Sequence, residues 1–293
     1  MSVVAFIGLG NMGGPMAANL AKAGFAVRGF DLAPFLRDQA ASLGVSIAAS
    51  AREAVAGADV IVTMLPAGKH VVSVYKEVVG GAKTGALCID SSTVDVESAR
   101  AAHGMAQDAG LLSIDAPVSG GTAGAQAASL TFMCGGTEAA FAAAQPILEK
   151  MGKKIVHCGA AGAGQAAKIC NNMILGISMI GVCESFALAE KLGLSHQALF
   201  DVASTSSGQC WSLTSYCPVP GPVPASPANK DYKPGFAAAL MLKDLKLAQE
   251  AAAASGASIP LGAQAAQIYA LFNAAGHGTD DFSGIIKFLR GKS

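Results

Sequence analysis

The most constraining feature of the sequence lies at its start, where the apolar run Val3 to Ile7 leads at once into Gly8-x-Gly10-x-x-Gly13 and a helical pattern through Met16 to Ala23. A strand, a glycine turn and a helix in that order open a βαβ unit. The first glycine permits a tight turn, the second lets backbone approach a pyrophosphate, and the third lets helix and strand pack closely. The amides of Asn11, Met12 and Gly13 stand at a helix N-terminus, where they face phosphate charge. With 35 glycines in the chain the spacing alone carries little, and its place between strand and helix makes it informative. Gly8, Leu9, Gly10, Asn11, Met12 and Gly13 are therefore candidate dinucleotide contacts.

The same alternation continues through the first half. Short β-rich runs at Ala26 to Phe30, Val60 to Met64, Ala86 to Asp90, Leu111 to Ile114, Leu130 to Cys134 and Ile155 to His157 are separated by alanine-rich helical stretches. This rhythm predicts an α/β, Rossmann-type doubly wound sheet over residues 1–163. From about Gly162 onward the pattern becomes helical, at Gly164 to Lys191, His196 to Thr205, Phe236 to Ala254 and Leu261 to Ala275. An all-α domain for substrate binding and oligomerisation is expected over 164–293. A final helix is expected near Thr279, capped by its hydroxyl, with Asp280 and Asp281 complementing the helix dipole. Prolines 218, 220, 222, 224, 227 and 234 make Tyr216 to Gly235 a loop, read as an ordered connection within the domain rather than a polyproline ligand.

Asp31 ends the second strand, about 20 residues past the glycines, where a carboxylate can accept the hydroxyls of an adenosine ribose and repel a 2′-phosphate. Arg28 lies an odd number of residues away and should point to the other face. NAD is expected as cofactor rather than NADP. Leu65 with Pro66, and Ser91 to Thr93, end two further strands at the carboxyl edge of the sheet, where ligands sit in open α/β folds.

Composition narrows the remaining classes. Basic and acidic residues number 20 each, and no basic block could neutralise a run of phosphates, so nucleic acid is set aside. The seven cysteines are scattered without C-x-x-C spacing or paired histidines, which fits a reduced cytoplasm and no metal site. No basic segment with a cleavage site precedes the first strand, and Met173 to Cys183 is short of the roughly 20 residues needed to span a bilayer. No membrane partner is expected. Charged residues are 14%, against roughly 25% in ordinary soluble domains, and hydrophobic ones 52%, which points to subunit surface buried in an oligomer.

The chemistry centres on one amine. From Lys154 to Glu184 the only other formally charged side chain is Lys168, set in a helical pattern of Ala, Ile, Met, Val, Cys and Gly. Lysine is seldom buried without a partner or a task, and desolvation favours the neutral amine that a general base requires. Asn172 follows four residues later on the same helix face, where the two can grip one oxygen. Ser119, Gly120 and Gly121 form a hydroxyl and amide nest suited to a small carboxylate. Lys243 and Lys246 lie one turn apart in a later helix, and either could face a cleft.

Taken together, FIGLGNMGGPMA from Phe6, TMLP from Thr63, DSST from Asp90, DAPVSGGTAGA from Asp115, GQAAKICNNM from Gly164 and LMLKDLKLAQ from Leu240 resemble the β-hydroxyacid dehydrogenase family over essentially the whole chain. The resemblance implies NAD-dependent oxidation of a small hydroxy-carboxylate, with Lys168 catalytic, Asn172 assisting, and Ser119, Gly120 and Gly121 holding the carboxylate. It also implies cofactor contacts at Leu65, Pro66, His70, Thr93 and Lys243, with His70 standing where similar proteins often carry Asn. SSGQCWSL from Ser206 and the following PVPG resemble the branch acting on 3-hydroxyisobutyrate in valine breakdown. L-serine, D-glycerate or 3-hydroxypropionate are the neighbouring substrates, separated by methyl-sized differences worth about 1–3 kcal/mol in a pocket. The family implies a homodimer or homotetramer. A non-catalytic NAD-binding protein is disfavoured because Lys168 and Asn172 occur together, and imine reduction because another residue is expected at the lysine position.

Overall fold

The computed structural model describes residues 2–291. The chain divides into two compact units after Lys168. Among the described residues, nine strands form one sheet in the first unit. They are β1 (Val3–Ile7), β2 (Ala26–Phe30), β3 (Ser46–Ile47), β4 (Val60–Thr63), β5 (Leu87–Asp90), β6 (Leu112–Asp115), β7 (Val118–Ser119), β8 (Leu130–Gly136) and β9 (Gly152–Gly159). The order is β3-β2-β1-β4-β5-β6-β8-β7, with β9 paired to β8. Strands β1 to β6 are parallel. The chain thus winds outward from β1 through β2 and β3, then returns to build β4, β5 and β6 on the other side. The order reverses between β1 and β4, and a crevice for a ligand opens at such a point.

Successive strand residues serve opposite faces. Val4, Phe6, Val60, Val62, Leu87 and Ile89 enter one core with Met16 and Leu20 of the helix Gly13–Lys22. Ala5, Ile7, Ile61 and Cys88 enter the other, with Val71 and Tyr75 of the helix Gly68–Val78 and Ala99 and Ala102 of the helix Val96–Asp108. A parallel sheet covered on both faces explains why the strands read as apolar runs without a polar side. Strands β3 and β7, two residues each, were not anticipated from the sequence, because a pair of residues has no period to read. The edge reverses at β8, which is antiparallel to both β6 and β7. The last residue of β7, Ser119, therefore lies at the same carboxyl edge as the ends of β1, β4, β5 and β6.

The second unit is helical. It takes the remainder of the helix Ala163–Lys191 and the helices His196–Ala203, Trp211–Thr214, Ala238–Ser255, Pro260–Phe272 and Ile285–Leu289. Met179, Cys183, Phe186, Met241, Leu245, Tyr269, Phe272 and Phe282 form its core. By length and composition the helix Ala163–Lys191 could cross a bilayer. Here Met179, Cys183 and Phe186 on it pack into the core of the unit.

The proline-rich passage is an ordered connection, as its buried contacts show. Tyr232 Oη donates to the Pro218 carbonyl at 2.8 Å, and Ser226 Oγ donates to that of Cys217 at 2.5 Å. The expected cap at Thr279 is corrected. The chain instead enters a 3₁₀ turn at Phe282–Gly284, and the Asp281 carboxylate accepts from the Ser283 amide at 3.0 Å. A carboxylate one residue before the turn meets its free amides directly, and Thr279 stands too far upstream to reach them.

Candidate active site

The glycine loop leaves β1 with Gly8 at φ +95°, and a Cβ there would stand 2.2 Å from the Met64 carbonyl oxygen. A Cβ on Gly13 would meet the Gly8 carbonyl oxygen at 1.9 Å. Any side chain at either position would push the loop off the sheet. A Cβ at Gly10, in contrast, meets nothing within 4 Å. No side chain caps the first turn of the helix Gly13–Lys22, and no acidic residue stands in it. Gly14 and Met16 donate to the Gly10 and Met12 carbonyls, and Pro15 has no amide hydrogen. This leaves the loop amides of Asn11, Met12 and Gly13 to face an anion, so the loop fits a dinucleotide pyrophosphate. Asp31 holds the loop from β2, its Oδ2 accepting from the Leu9 amide at 2.7 Å and its Oδ1 from the Ala33 amide at 2.9 Å. A carboxylate has about four acceptor positions, so hydroxyls of a ribose can still be bound. Arg28 is engaged elsewhere, donating to the Ala56 carbonyl at 2.8 Å.

At the neighbouring strand ends, polar side chains knit β4 to β5. Asp90 Oδ1 accepts from Thr63 Oγ1 at 2.7 Å and from Ser92 Oγ at 2.6 Å, and Ser92 Oγ accepts from the Leu65 amide at 2.8 Å. Burial pushes the Asp90 carboxyl above the ordinary aspartate value, and the bonds from Ser92 and Thr63 offset only part of that. Leu65, Pro66 and Thr93 follow these two strands directly, and His70 lies exposed in the first turn of the helix Gly68–Val78. Ser119 ends β7, Gly120 takes φ +133°, and Gly121 opens the short helix Gly121–Gln126.

Lys168 is 7% exposed on the helix Ala163–Lys191. Two residues not assigned from the sequence govern the start of that helix. Asp115, at the end of β6 and 1% exposed, accepts from the amides of Gly162 and Gln165 at 2.8 Å each, and lies 3.0 Å from His103 Nε2. The Gln165 side chain, fully buried, donates to the Ser92 carbonyl at 2.8 Å and accepts from the Val94 amide at 3.1 Å.

In the second unit Asn172 donates to Asp244 Oδ2 at 2.5 Å, while its own Oδ1 accepts from Asn171 Nδ2 at 3.0 Å. Lys243 Nζ lies 3.5 Å from Asp244 Oδ1, whereas Lys246 is exposed. Asp244 thus gathers Asn172 and Lys243, a role not read from the sequence. A signal was present, since Asp244 falls on the buried stripe Met241, Leu245, Ala248 and Ala252 of its helix. A carboxylate on an apolar stripe calls for a partner. Among the described residues, no three His, Cys, Asp or Glu side chains gather as a metal site would require.

Residues 3–159 match the family model for the NAD-binding domain of 6-phosphogluconate dehydrogenase. Residues 162–289 match the model described as the NAD-binding region of NADP-dependent 3-hydroxyisobutyrate dehydrogenase. A probable 3-hydroxyisobutyrate dehydrogenase of Mycobacterium tuberculosis is 57% identical over 293 residues, spanning 100% of this chain and 99% of its own. An NAD-dependent L-serine dehydrogenase of Pseudomonas aeruginosa is 47% identical over 292 residues, spanning 99% and 98%. The solved structure of a Mycobacterium tuberculosis 3-hydroxyisobutyrate dehydrogenase with L-serine superposes with a TM-score of 0.96 at 57% identity, covering 99% of each chain.

Proposed function

The chain belongs to the β-hydroxyacid dehydrogenase family of NAD-dependent oxidoreductases, and from that premise we propose that it oxidises 3-hydroxyisobutyrate to methylmalonate semialdehyde in valine breakdown. Bound NAD supplies the hydride acceptor. Residues 1–163 hold the dinucleotide through Gly8 to Gly13, with Asp31 on the adenosine ribose selecting NAD over NADP, and Leu65, Pro66, His70, Thr93 and Lys243 complete the cofactor contacts. Ser119, Gly120 and Gly121 orient the substrate carboxylate. Lys168, as the neutral amine, takes the hydroxyl proton as the carbon is oxidised, and in the reverse direction its ammonium returns that proton. Asn172 donates to the same oxygen with the amide hydrogen left over from its bond to Asp244.

The observation that carries this reading is the burial of Lys168, one turn beyond a glutamine bonded to the Ser92–Val94 loop. Lys168→Ala is expected to abolish turnover while NAD binding, followed by titration, persists. Near-normal turnover in that variant would remove the base.

L-serine is the second reading, favoured by the Pseudomonas aeruginosa relative and by the ligand of the Mycobacterium tuberculosis structure. Both molecules carry a hydroxymethyl group beside a carboxylate-bearing carbon, and they differ in a methyl against an ammonium. A panel comparing kcat/KM for 3-hydroxyisobutyrate, L-serine, D-glycerate and 3-hydroxypropionate with NAD and NADP decides between them. A higher value for serine would replace the substrate assigned here. We further assign the chain to the cytoplasm, on its seven unpaired cysteines, and to a homodimer or homotetramer joined through residues 164–293. Exposed Ile174, Leu188, Leu192 and Leu261 support the oligomer.

A further inference from the structure

We propose that Gln165 is a positioning residue that sets Lys168 against the Ser92–Val94 loop, so that proton and hydride leave the substrate in one geometry. The inference rests on the reading of Lys168 as acid and base. Gln165 and Lys168 lie three residues apart on one helix, and neighbours at that spacing share a face. The Gln165 amide brackets Thr93, with Nε2 donating to the Ser92 carbonyl on one side and Oε1 accepting from the Val94 amide on the other. A primary amide offers one donor and one acceptor at that span without a change of protonation state. An ionised glutamate would set an acceptor oxygen against the Ser92 carbonyl, and methionine would leave both backbone groups unpaired.

Both ends of the residue are fixed. The Gln165 main-chain amide donates to Asp115 Oδ2 at 2.8 Å, and that carboxylate also holds the Gly162 amide and meets His103. On the far side, Ser92 is bonded through its hydroxyl to Asp90 and Leu65. The first turn of the helix is therefore clamped to the ends of β4, β5 and β6 together. A clamp of this kind has little slack, and displacements of about 1 Å in a reacting group can cost about 10²-fold in rate.

The test compares the wild-type protein with Gln165→Glu, Gln165→Met and Lys168→Ala on whichever substrate of the panel turns over fastest, unlabelled and deuterated at the hydroxymethyl carbon. Either folded glutamine variant is expected to lose about 10²-fold in kcat. KM for NAD should stay within a few-fold, and the deuterium isotope effect on kcat should rise as hydride transfer becomes rate-limiting. Wild-type kcat in a folded variant would overturn the proposal. So would a loss of kcat with an unchanged isotope effect, which marks a smaller active fraction, or a raised KM for NAD at unchanged kcat, which marks a role confined to the cofactor loop. Methionine provides the readout if the glutamate variant does not fold. Turnover by Lys168→Ala would defeat the underlying reading, whereas an inactive Lys168→Ala beside unaffected Gln165 variants would defeat this inference alone.

Discussion

Asp90 is a carboxylate whose two oxygens have unequal company. Oδ1 accepts from Thr63, from the Ser92 hydroxyl and from the Ser92 amide, while Oδ2 is buried with no hydrogen-bond partner. Burial disfavours the charged form and raises the folded pKa. The unfolded chain therefore ionises first. Stability is retained at and below the ordinary value of 3.8 and is lost as pH rises from there through the folded pKa. Asp90→Asn keeps an oxygen for the three donors and leaves an amide unpaired, costing about 1–3 kcal/mol at every pH. It also abolishes the titration. Urea unfolding at pH 4, 5, 6 and 7 is expected to show the variant gaining on the wild type as pH rises. Parallel curves would mean that the carboxylate is solvated better than its burial implies.

Among the connecting elements, the proline-rich passage depends on a side chain far along the chain. Asp281 Oδ2 accepts from the Tyr216 hydroxyl at 2.9 Å, the Gly235 amide at 2.9 Å and the Phe236 amide at 3.1 Å, while Oδ1 takes Ser283. Tyr216 in turn stacks between Trp211 and Phe282, at 4.9 and 5.3 Å between ring centroids. One fully buried carboxylate therefore orders both ends of a passage that has no ladder of its own. Asp281→Ala would leave the two buried donors of Ser283 without an acceptor, at about 1–3 kcal/mol each, and would free the partly buried donors of Tyr216, Gly235 and Phe236 as well. A loss of about 3 kcal/mol or more is expected in urea unfolding, and a loss below about 1 kcal/mol would mean that water replaces the carboxylate.

On the scale of the whole molecule, Val202, Leu192 and Ile174 are 65%, 74% and 65% exposed in the helical unit of a chain with only 14% charged residues. Sedimentation is expected to give two or four times the 29.2 kDa chain mass, and a species of the single chain mass would remove the oligomer. The glycine loop, the parallel strands and the long helices were legible in the sequence because each is written within a short window, as a turn or as a period of two or 3.6 residues. Asp115 on Gln165, Gln165 on Ser92 and Asn172 on Asp244 join residues 50, 73 and 72 apart. The two-residue strands β3 and β7 exist only through their neighbours. The sequence by itself determined the order and type of the longer elements and the candidate amine. Tertiary structure decided which buried polar groups meet, since a hydrogen bond between distant residues leaves no periodic trace along the chain.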